Sequence, residues 1–277
     1  MTRVHPTAIV SPGAELGEGV TVGPYCIVGD RVKIGDQTVL ESFVTVLDFT
    51  EIGPGCRITQ NAVLGGEPQD VSFKGEESRV RIGAGVIIRE NVTIHRGVGE
   101  GTSTVVGDGC FLMEGVHIGH NVVLGRNVVM ANKVGMAGFS EAGDGAVFGG
   151  MAGVHQFVRV GKLCMIGGLS KIVKDVPPFL TVDGHPGEIY GLNKVGMRRA
   201  GYDGAARAAV KSFYDRLFRG DLPFRQALSA LASSGEGQEA AAREIIEFCS
   251  GSSRGVTLWR SRRRQGEETA DDQATGP

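Results

Sequence analysis

Residues 4–40 read VHPTAIVSPGAELGEGVTVGPYCIVGDRVKIGDQTVL, and an aliphatic residue returns at every sixth position of this stretch. The same spacing continues to Leu64, returns over residues 82–94 and runs again over residues 106–172, which makes twenty-six repeats. A period of six does not match the 3.6-residue turn of an α helix. It predicts short strands joined by tight turns, with three strands closing each triangular coil. Coils stacked at strand spacing would form a prism about 40 Å long.

Glycine often follows the repeated aliphatic residue, as at Gly17, Gly23 and Gly29, and glycines account for 44 of the 277 residues. We expect these glycines to supply turn conformations that a Cβ atom would oppose. The residue four places after each aliphatic one is small or β-branched, as at Ala14 and Val20. Together these features predict a parallel β-helix, a mainly β fold with an aliphatic interior.

Two insertions interrupt the repeat, at residues 65–79 and 97–104. A solenoid accepts insertions as loops that leave its surface, so each insertion is predicted to border a cleft. We expect the β-helix with these loops to span residues 1–178.

A C-terminal α-helical region is predicted over residues 179–250. It begins with a short connecting segment that contains His185 and Tyr190. Its first helix should end at Gly220 and its second should be capped by Asp221. A third helix is indicated by apolar residues near Ile245. Residues 251–277 lack periodicity and are expected to form a mobile tail.

Composition and charge exclude several classes of protein. A net charge of −2 argues against general nucleic-acid binding, which requires clustered positive charge. No stretch approaches the ~20 uninterrupted apolar residues of a membrane span, and no signal peptide is recognisable, so we expect a cytoplasmic protein without stable membrane insertion. The five cysteines are widely spaced, without a zinc-binding pair, and are expected to be reduced thiols.

Histidines at positions 117 and 120 stand out within the repeat segment HIGHNVVLG. His120, Gly138 and Gln156 follow one another at intervals of eighteen residues, which places them in one column on one wall. Because His120 does not occupy the inward position, it is a surface histidine, a metal ligand or a general base. A third well-placed ligand is absent from the spacing, which makes zinc the poorer interpretation. An imidazole titrates near neutrality, so one histidine suffices to deprotonate an attacking hydroxyl or amine.

Several segments resemble the acyl carrier protein dependent UDP-N-acetylglucosamine O-acyltransferases, the hexapeptide-repeat family that begins lipid A synthesis. The resemblance covers about residues 4–260, and its most specific segments contain IHRG and GVHQF. Further similar segments are HPTAIV, PQD at residues 68–70, DVPPF and RGVTLWR. The handedness of the predicted β-helix, which periodicity does not give, is left-handed by this resemblance.

The resemblance implies roles for individual residues. His120 falls on the family's general base, and the adjacent catalytic position is Asn121, which is expected to orient the ring without contributing a charge. Residues that fall on the sugar nucleotide and acyl site are Gln69, Asp70, His117, His155, Gln156 and Asn193. Gly168 matches a position where a small residue leaves room for a long 3-hydroxyacyl chain, and Arg198 and Arg199 match a basic segment that would face acidic acyl carrier protein. The resemblance further implies a homotrimer with active sites between subunits, and no metal or other cofactor beyond the phosphopantetheine of the acyl donor.

Four positions depart from the family's usual residues. Asn121 stands where the family usually has an aspartate, Ser72 where it often has a lysine and Phe139 where it often has a histidine, while Ala200 replaces an arginine. These departures leave two alternatives to O-acylation open. One is transfer of the acyl chain to the amine of an amino sugar nucleotide, and the other is a diverged paralogue without catalytic activity.

Overall fold

The structure, a computed structural model, describes residues 1–260. Short strands follow one another around a triangular coil through most of this range. Their bounds, in chain order, are Arg3–Val4 (β1), Ile9–Val10 (β2), Glu15–Leu16 (β3), Thr21–Val22 (β4), Ile27–Val28 (β5), Lys33–Ile34 (β6), Val39–Leu40 (β7), Thr45–Val46 (β8), Thr50–Ile52 (β9), Arg57–Ile58 (β10), Val63–Gly66 (β11), Arg79–Ile82 (β12), Ile87–Ile88 (β13), Thr93–His95 (β14), Ser103–Val106 (β15), Phe111–Leu112 (β16), His117–Ile118 (β17), Val123–Leu124 (β18), Val129–Met130 (β19), Gly135–Met136 (β20), Glu141–Ala142 (β21), Val147–Phe148 (β22), Gly153–Val154 (β23), Arg159–Val160 (β24), Met165–Ile166 (β25) and Lys171–Ile172 (β26).

Each of β1–β23 pairs in parallel with the strand three places later in the chain. Strands β1, β4 and their successors to β25 form sheet 1, β2 to β26 form sheet 2, and β3 to β24 form sheet 3. In sheet 1, for example, Thr21 lies opposite Val39, eighteen residues later. The fold is therefore the predicted left-handed parallel β-helix, and every predicted repeat position lies in one of β1–β26.

Two rows of side chains fill the interior of the prism. The repeated aliphatic residue is buried from Val22 onward, and the residue four places after it, such as Cys26 or Val32, is buried as well. At the N-terminal end, β1, β2 and β3 each have a neighbour on one side only, and Val4 is 46% exposed. The first coil is thus an open end of the solenoid.

The expected role of the glycines after each aliphatic residue is wrong except at Gly65, which has a φ of 86°. Positive φ values occur two residues later in the turn, at residues that include Tyr25, Phe43 and Asn121. The glycines are required because neighbouring coils approach closely. A Cβ atom on Gly107 would lie 2.4 Å from the carbonyl oxygen of Gly125 in the next coil, which no side chain can occupy without displacing backbone.

The region that follows the prism contains a hairpin and helices. Leu180–Gly184 (β27) and Gly187–Leu192 (β28) are antiparallel and extend sheet 1 beyond β25. The helices are Lys194–Arg199 (α1), Gly204–Arg219 (α2), Phe224–Ala232 (α3) and Ala240–Ser250 (α4), with a 3₁₀ turn at Gly235–Gln238. The hydroxyl of Tyr214 in α2 donates to the carbonyl oxygen of Pro178 at 2.7 Å, which fixes the helices to the end of the prism.

Three details of this region differ from the predictions. The segment expected to be a simple connection contains the β27–β28 hairpin. Its sequence does not follow the six-residue repeat, so the repeat did not predict it. Asp221 does not cap α3, because Pro223 occupies the N-cap position. Residues 251–260 of the expected tail pack on the protein: Val256 bridges to Asp175, and the Trp259 ring lies 5.7 Å from that of Phe218. The remaining residues of that tail, 261–277, lie outside the described residues.

Both insertions leave the same edge of the prism, between sheets 2 and 3. The first connects β11 to β12 and the second connects β14 to β15. Of the residues predicted to be inserted, 65, 66, 79, 103 and 104 belong to these strands. The turn that carries His120 connects β17 to β18 and therefore lies on this edge, one coil further on. Within residues 1–260, no helix has both the length and the apolar character needed to cross a membrane.

Candidate active site

A pocket of about 260 Å³ lies at the edge between sheets 2 and 3. Five of the site residues expected from the sequence line this pocket. Gln69 and Asp70 come from the first insertion, which therefore lies against the wall of the prism. The lining residues are Gln69, Asp70, His95, His117, Gly119, His120, Ala137, Gly138 and Gln156.

The imidazole of His120 is held in a narrow space beside this pocket. Its side chain is 9% exposed, and the ring of Phe139 lies edge-on to it at 5.2 Å. A Cβ atom on Gly138 would lie 2.3 Å from His120 Nε2, so only glycine at that position leaves room for the ring. Phe139 stacks on Phe157 at 5.1 Å, and both are partly exposed on the C-terminal side of the pocket.

Asn121 determines which nitrogen of His120 carries the proton. Asn121 Oδ1 accepts from the Val98 backbone N–H at 2.8 Å, and Nδ2 donates to the Val98 carbonyl oxygen at 3.2 Å. These two contacts fix the orientation of the amide. Since Oδ1 accepts only, His120 Nδ1, which lies 2.9 Å from it, must be the donor. In the neutral ring, the lone pair is then on Nε2, the nitrogen nearest to Asp70.

Asp70 supplies a negative charge on the other side of the ring. Its Oδ2 lies 3.5 Å from His120 Nε2. Hydrogen bonds from the hydroxyl and backbone N–H of Ser72, at 2.7 and 2.8 Å, hold the pKa of the Asp70 carboxyl below its ordinary value, and His120 contributes in the same direction. Asn121 carries no charge, so Asp70 is the carboxylate available to stabilise an imidazolium at position 120.

His95, which sequence reasoning did not select as a site residue, belongs to the same pocket. Its Nδ1 donates to the Glu67 carbonyl oxygen at 2.5 Å, which leaves its Nε2 as an acceptor. Its ring lies 5.2 Å from that of His117. Burial, and next the neighbouring His95, lower the pKa of His117, so that ring stays neutral near pH 7. The pocket therefore combines three imidazoles, those of His95, His117 and His120, with the carboxylate of Asp70.

The other expected site residues lie elsewhere on the chain. His155 is outside the pocket lining, and its Nδ1 accepts from Arg254 Nη2 at 3.2 Å. Gly168 lies in the turn between β25 and β26, on the edge between sheets 1 and 2. Asn193 caps α1, and its Nδ2 donates to the carbonyl oxygen of Leu163, in the turn between sheets 3 and 1. Arg199 ends α1. One chain thus distributes these residues over all three edges of its prism.

The cysteines do not offer a nucleophile. All five are buried, and none is in a disulfide. Burial raises the pKa of Cys110 to about 11 and those of Cys164 and Cys249 to about 12, so these thiols stay protonated at neutral pH. Within the described part of the chain, no group of three or more His, Cys, Asp or Glu side chains is arranged to hold a metal ion.

Known proteins resemble this chain over nearly all of its length. The family described as Udp N-acetylglucosamine O-acyltransferase, Domain 2, matches residues 175–257, and the bacterial transferase hexapeptide family (six repeats) matches residues 31–66 and 103–138. A relative from Burkholderia lata, named acyl-[acyl-carrier-protein]–UDP-N-acetylglucosamine O-acyltransferase, is 43% identical over 260 residues, which cover 92% of this chain and 99% of the relative. A relative of the same name from Burkholderia mallei is 44% identical with the same coverage.

Solved structures give the same result. The enzyme of this type from Acinetobacter baumannii superposes with a TM-score of 0.88 at 37% identity, covering 92% of this chain and 99% of that one. The UDP-N-acetylglucosamine acyltransferase of Francisella novicida superposes with a TM-score of 0.89 at 33% identity, covering 96% and 98%.

Proposed function

This chain belongs to the acyl-[acyl-carrier-protein]–UDP-N-acetylglucosamine O-acyltransferase family, and we propose that it transfers a 3-hydroxyacyl chain from acyl carrier protein to the 3-hydroxyl of UDP-N-acetylglucosamine. Transfer of an acyl chain between these two substrates is the activity that the names of its relatives state. The product would enter lipid A synthesis as its first intermediate. The reaction would take place in the cytoplasm and need no metal or other cofactor of the enzyme's own.

The observation that carries this proposal is the orientation of His120. Asn121 holds the proton on Nδ1, so the Nε2 lone pair is free to accept a proton in the pocket. In the proposed reaction, Nε2 removes the proton of the sugar hydroxyl as the oxygen attacks the thioester carbonyl. The imidazolium that forms faces the Asp70 carboxylate, 3.5 Å away. It then returns the proton to the sulfur of the phosphopantetheine when the thioester bond breaks.

The two sides of His120 differ in a way that suits two different substrates. Towards the N-terminal coils, the pocket presents Gln69, Asp70 and histidines, which suit the hydroxyls of a sugar. Towards the C-terminal coils, Phe139 and Phe157 offer an exposed apolar surface beside the base. An acyl group leaving in that direction would contact aromatic rings rather than polar side chains.

The direct assay combines the protein with UDP-N-acetylglucosamine and 3-hydroxyacyl carrier protein and identifies the product by mass spectrometry. An O-acylated sugar nucleotide is expected. Competition with the corresponding 3-amino sugar nucleotide decides the acceptor, because a preference for the amine would replace O-acylation by N-acylation. Binding of the sugar nucleotide in calorimetry without any turnover would instead identify a non-catalytic relative.

A homotrimer is part of the proposal. His120, Gly168 and Asn193 lie at three different edges of one prism, so residues from neighbouring copies would have to meet to form one complete site. The resemblance to trimeric family members supports the same assembly. Light scattering at micromolar concentration should give three times the mass of one chain, and a monomer with full activity would contradict this arrangement.

Replacing Asn121 with alanine should lower kcat by about 10- to 100-fold. The change removes the acceptor for His120 Nδ1 and both contacts to Val98, and a buried polar group left without its partner costs about 1–3 kcal/mol. Each ~1.4 kcal/mol of barrier corresponds to about tenfold in rate. Steady-state kinetics at saturating substrate measure this directly.

Asn127→Ala is a matched control for that variant. Asn127 has a φ of 55°, close to the 58° of Asn121, so alanine at either position meets the same backbone strain. Asn127, however, lies at the exposed edge between sheets 3 and 1, away from the pocket. We expect Asn127→Ala to lose a similar amount of stability and to keep its kcat. Equal kcat values for the two variants would mean that Asn121 does not orient the base.

A further inference from the structure

The carboxylate of Glu76 joins the two insertions that border the pocket. Glu76 lies in the first insertion, between β11 and β12, and its Oε1 accepts from the backbone N–H of Gly99 in the second insertion at 2.9 Å. Its Oε2 accepts from the backbone N–H of Lys74 in its own loop at 2.8 Å. One side chain therefore fixes its own loop and ties it to the other.

The residue before Gly99 in the second insertion connects this loop to His120, the proposed general base. Val98, next to Gly99, makes two hydrogen bonds with the Asn121 amide, and Asn121 accepts from His120. Gly97 approaches this amide closely, since a Cβ atom there would lie 3.1 Å from Asn121 Nδ2. A displacement of the Val98–Gly99 peptide would consequently move the group that holds the His120 ring.

The first insertion carries the other partner of His120. Asp70 lies six residues before Glu76, and its orientation depends on hydrogen bonds from Ser72 in the same loop. The Arg96 guanidinium lies 4.9 Å from the centre of the Phe73 ring and donates to the Glu76 carbonyl oxygen at 3.2 Å. Since Arg96 directly precedes the second insertion, these contacts also hold the two loops together.

An ionised carboxylate suits this position better than a neutral amide. Backbone N–H groups of Gly99, Lys74 and Glu76 itself lower the pKa of the Glu76 carboxyl, in that order of importance. Both oxygens act as acceptors, and a glutamine has only one acceptor atom. In Glu76→Gln, either Gly99 or Lys74 would therefore face an N–H donor in place of an oxygen.

We propose that Glu76 is a positioning residue for the acyl transfer, which sets the two insertions so that Asp70 and Asn121 hold His120 between them. The inference rests on the proposed function and adds to it a residue outside the pocket lining. Glu76 contacts neither the imidazole nor the pocket, and it acts through the Gly99 peptide on one side and its own loop on the other.

The test compares Glu76→Gln with the wild type in the acyl-transfer assay. A lower kcat by about 10- to 100-fold is expected, because small misplacements of reacting groups have effects of this size. Asp36→Asn is the matched control: Asp36 Oδ1 accepts from the Glu18 backbone N–H at 2.7 Å on the edge between sheets 3 and 1, remote from His120. The control should keep its kcat, and thermal unfolding compares its stability with that of Glu76→Gln.

A double variant separates positioning from a general loss of stability. Because Glu76 acts partly through Asn121, Glu76→Gln should lower kcat at least about threefold less in the Asn121→Ala background than in the wild type, since coupled sites are not additive. Full multiplication of the two effects, or a Glu76→Gln enzyme with wild-type kcat and reduced thermal stability, would overturn the inference while O-acylation stands. A wild type without turnover would instead overturn the proposed function, and the inference with it.

Discussion

Replacing His120 with alanine is expected to lower kcat/KM by about 10²- to 10⁴-fold, the usual contribution of a general base. The variant removes the imidazole whose Nδ1 is held by Asn121. Its Nε2, 3.5 Å from Asp70, is the proposed proton acceptor. His95 and His117 are not expected to replace it, because among the described residues only His120 lies within ion-pair distance of Asp70, whose carboxylate would stabilise the imidazolium. The thioester would then be attacked by a sugar hydroxyl that keeps its proton.

The measurement is the initial rate of O-acylated product formation at subsaturating UDP-N-acetylglucosamine. His5→Ala serves as a control, because His5 is exposed in the first coil and its imidazole forms hydrogen bonds with Thr7, remote from the pocket. Circular dichroism should show an unchanged fold in both variants. A His120→Ala enzyme within threefold of the wild type would exclude His120 as the base and would leave His95, whose Nδ1 is held by the Glu67 carbonyl oxygen, as the next candidate in the pocket.

Gly138→Ala should reduce activity by about 10²-fold through a single added methyl group. Gly138 does not have a positive φ, so its backbone can accept alanine without strain. The new Cβ, however, would lie 2.3 Å from His120 Nε2 and 2.4 Å from its Cε1. The ring has little room to yield, with Phe139 against it and Asn121 bonded to it. A displacement of about 1 Å is enough for an effect of this size.

A double variant tests whether that effect passes through the imidazole. Gly138→Ala added to His120→Ala should change the residual rate by less than about twofold, since the ring that the methyl group displaces is no longer there. The crystal structure of Gly138→Ala should show His120 in another rotamer. Normal activity in Gly138→Ala would mean that the pocket is far more adaptable than the packing around His120 indicates.

The solenoid was predictable in detail because each of its repeats carries its own signal. An apolar residue every six positions identified all of β1–β26, although each strand has only two to four residues. The role of glycine was not predictable from that pattern. Sequence spacing does not show that neighbouring coils lie so close that Gly107 has no space for a Cβ atom.

The C-terminal region follows no repeat, and its tertiary contacts outweigh its local signals. The β27–β28 hairpin forms because sheet 1 offers β25 as a neighbour, which spacing within residues 180–192 does not reveal. Residues 251–260 have a polar composition, but Trp259 finds an aromatic site beside Tyr214 and Phe218. A single anchoring side chain of this kind is easily missed by a compositional argument.

The candidate site shows the same limit. The eighteen-residue interval placed His120, Gly138 and Gln156 in one column, and the structure brings all three to the pocket. His95 was missed because the second insertion lengthens its coil: Thr93 lies opposite His117, twenty-four residues later. Allowing for an insertion of six residues would have aligned His95 with this wall. Asn121 was expected to orient the ring, but its contacts with Val98 depend on a loop conformation that the sequence does not specify.

The open first coil has a consequence for how these molecules coexist at high concentration. Strands β1, β2 and β3 leave their outer hydrogen-bonding groups without a partner strand, a condition that usually invites one polypeptide to add to another. Here the three borders face three directions and each is two residues long. A strand from another chain could form hydrogen bonds with only one of β1, β2 and β3. Continued stacking would need a second triangular coil whose three sides align with these three strands. The triangular shape of the prism therefore disfavours amyloid-like growth from its exposed N-terminal end.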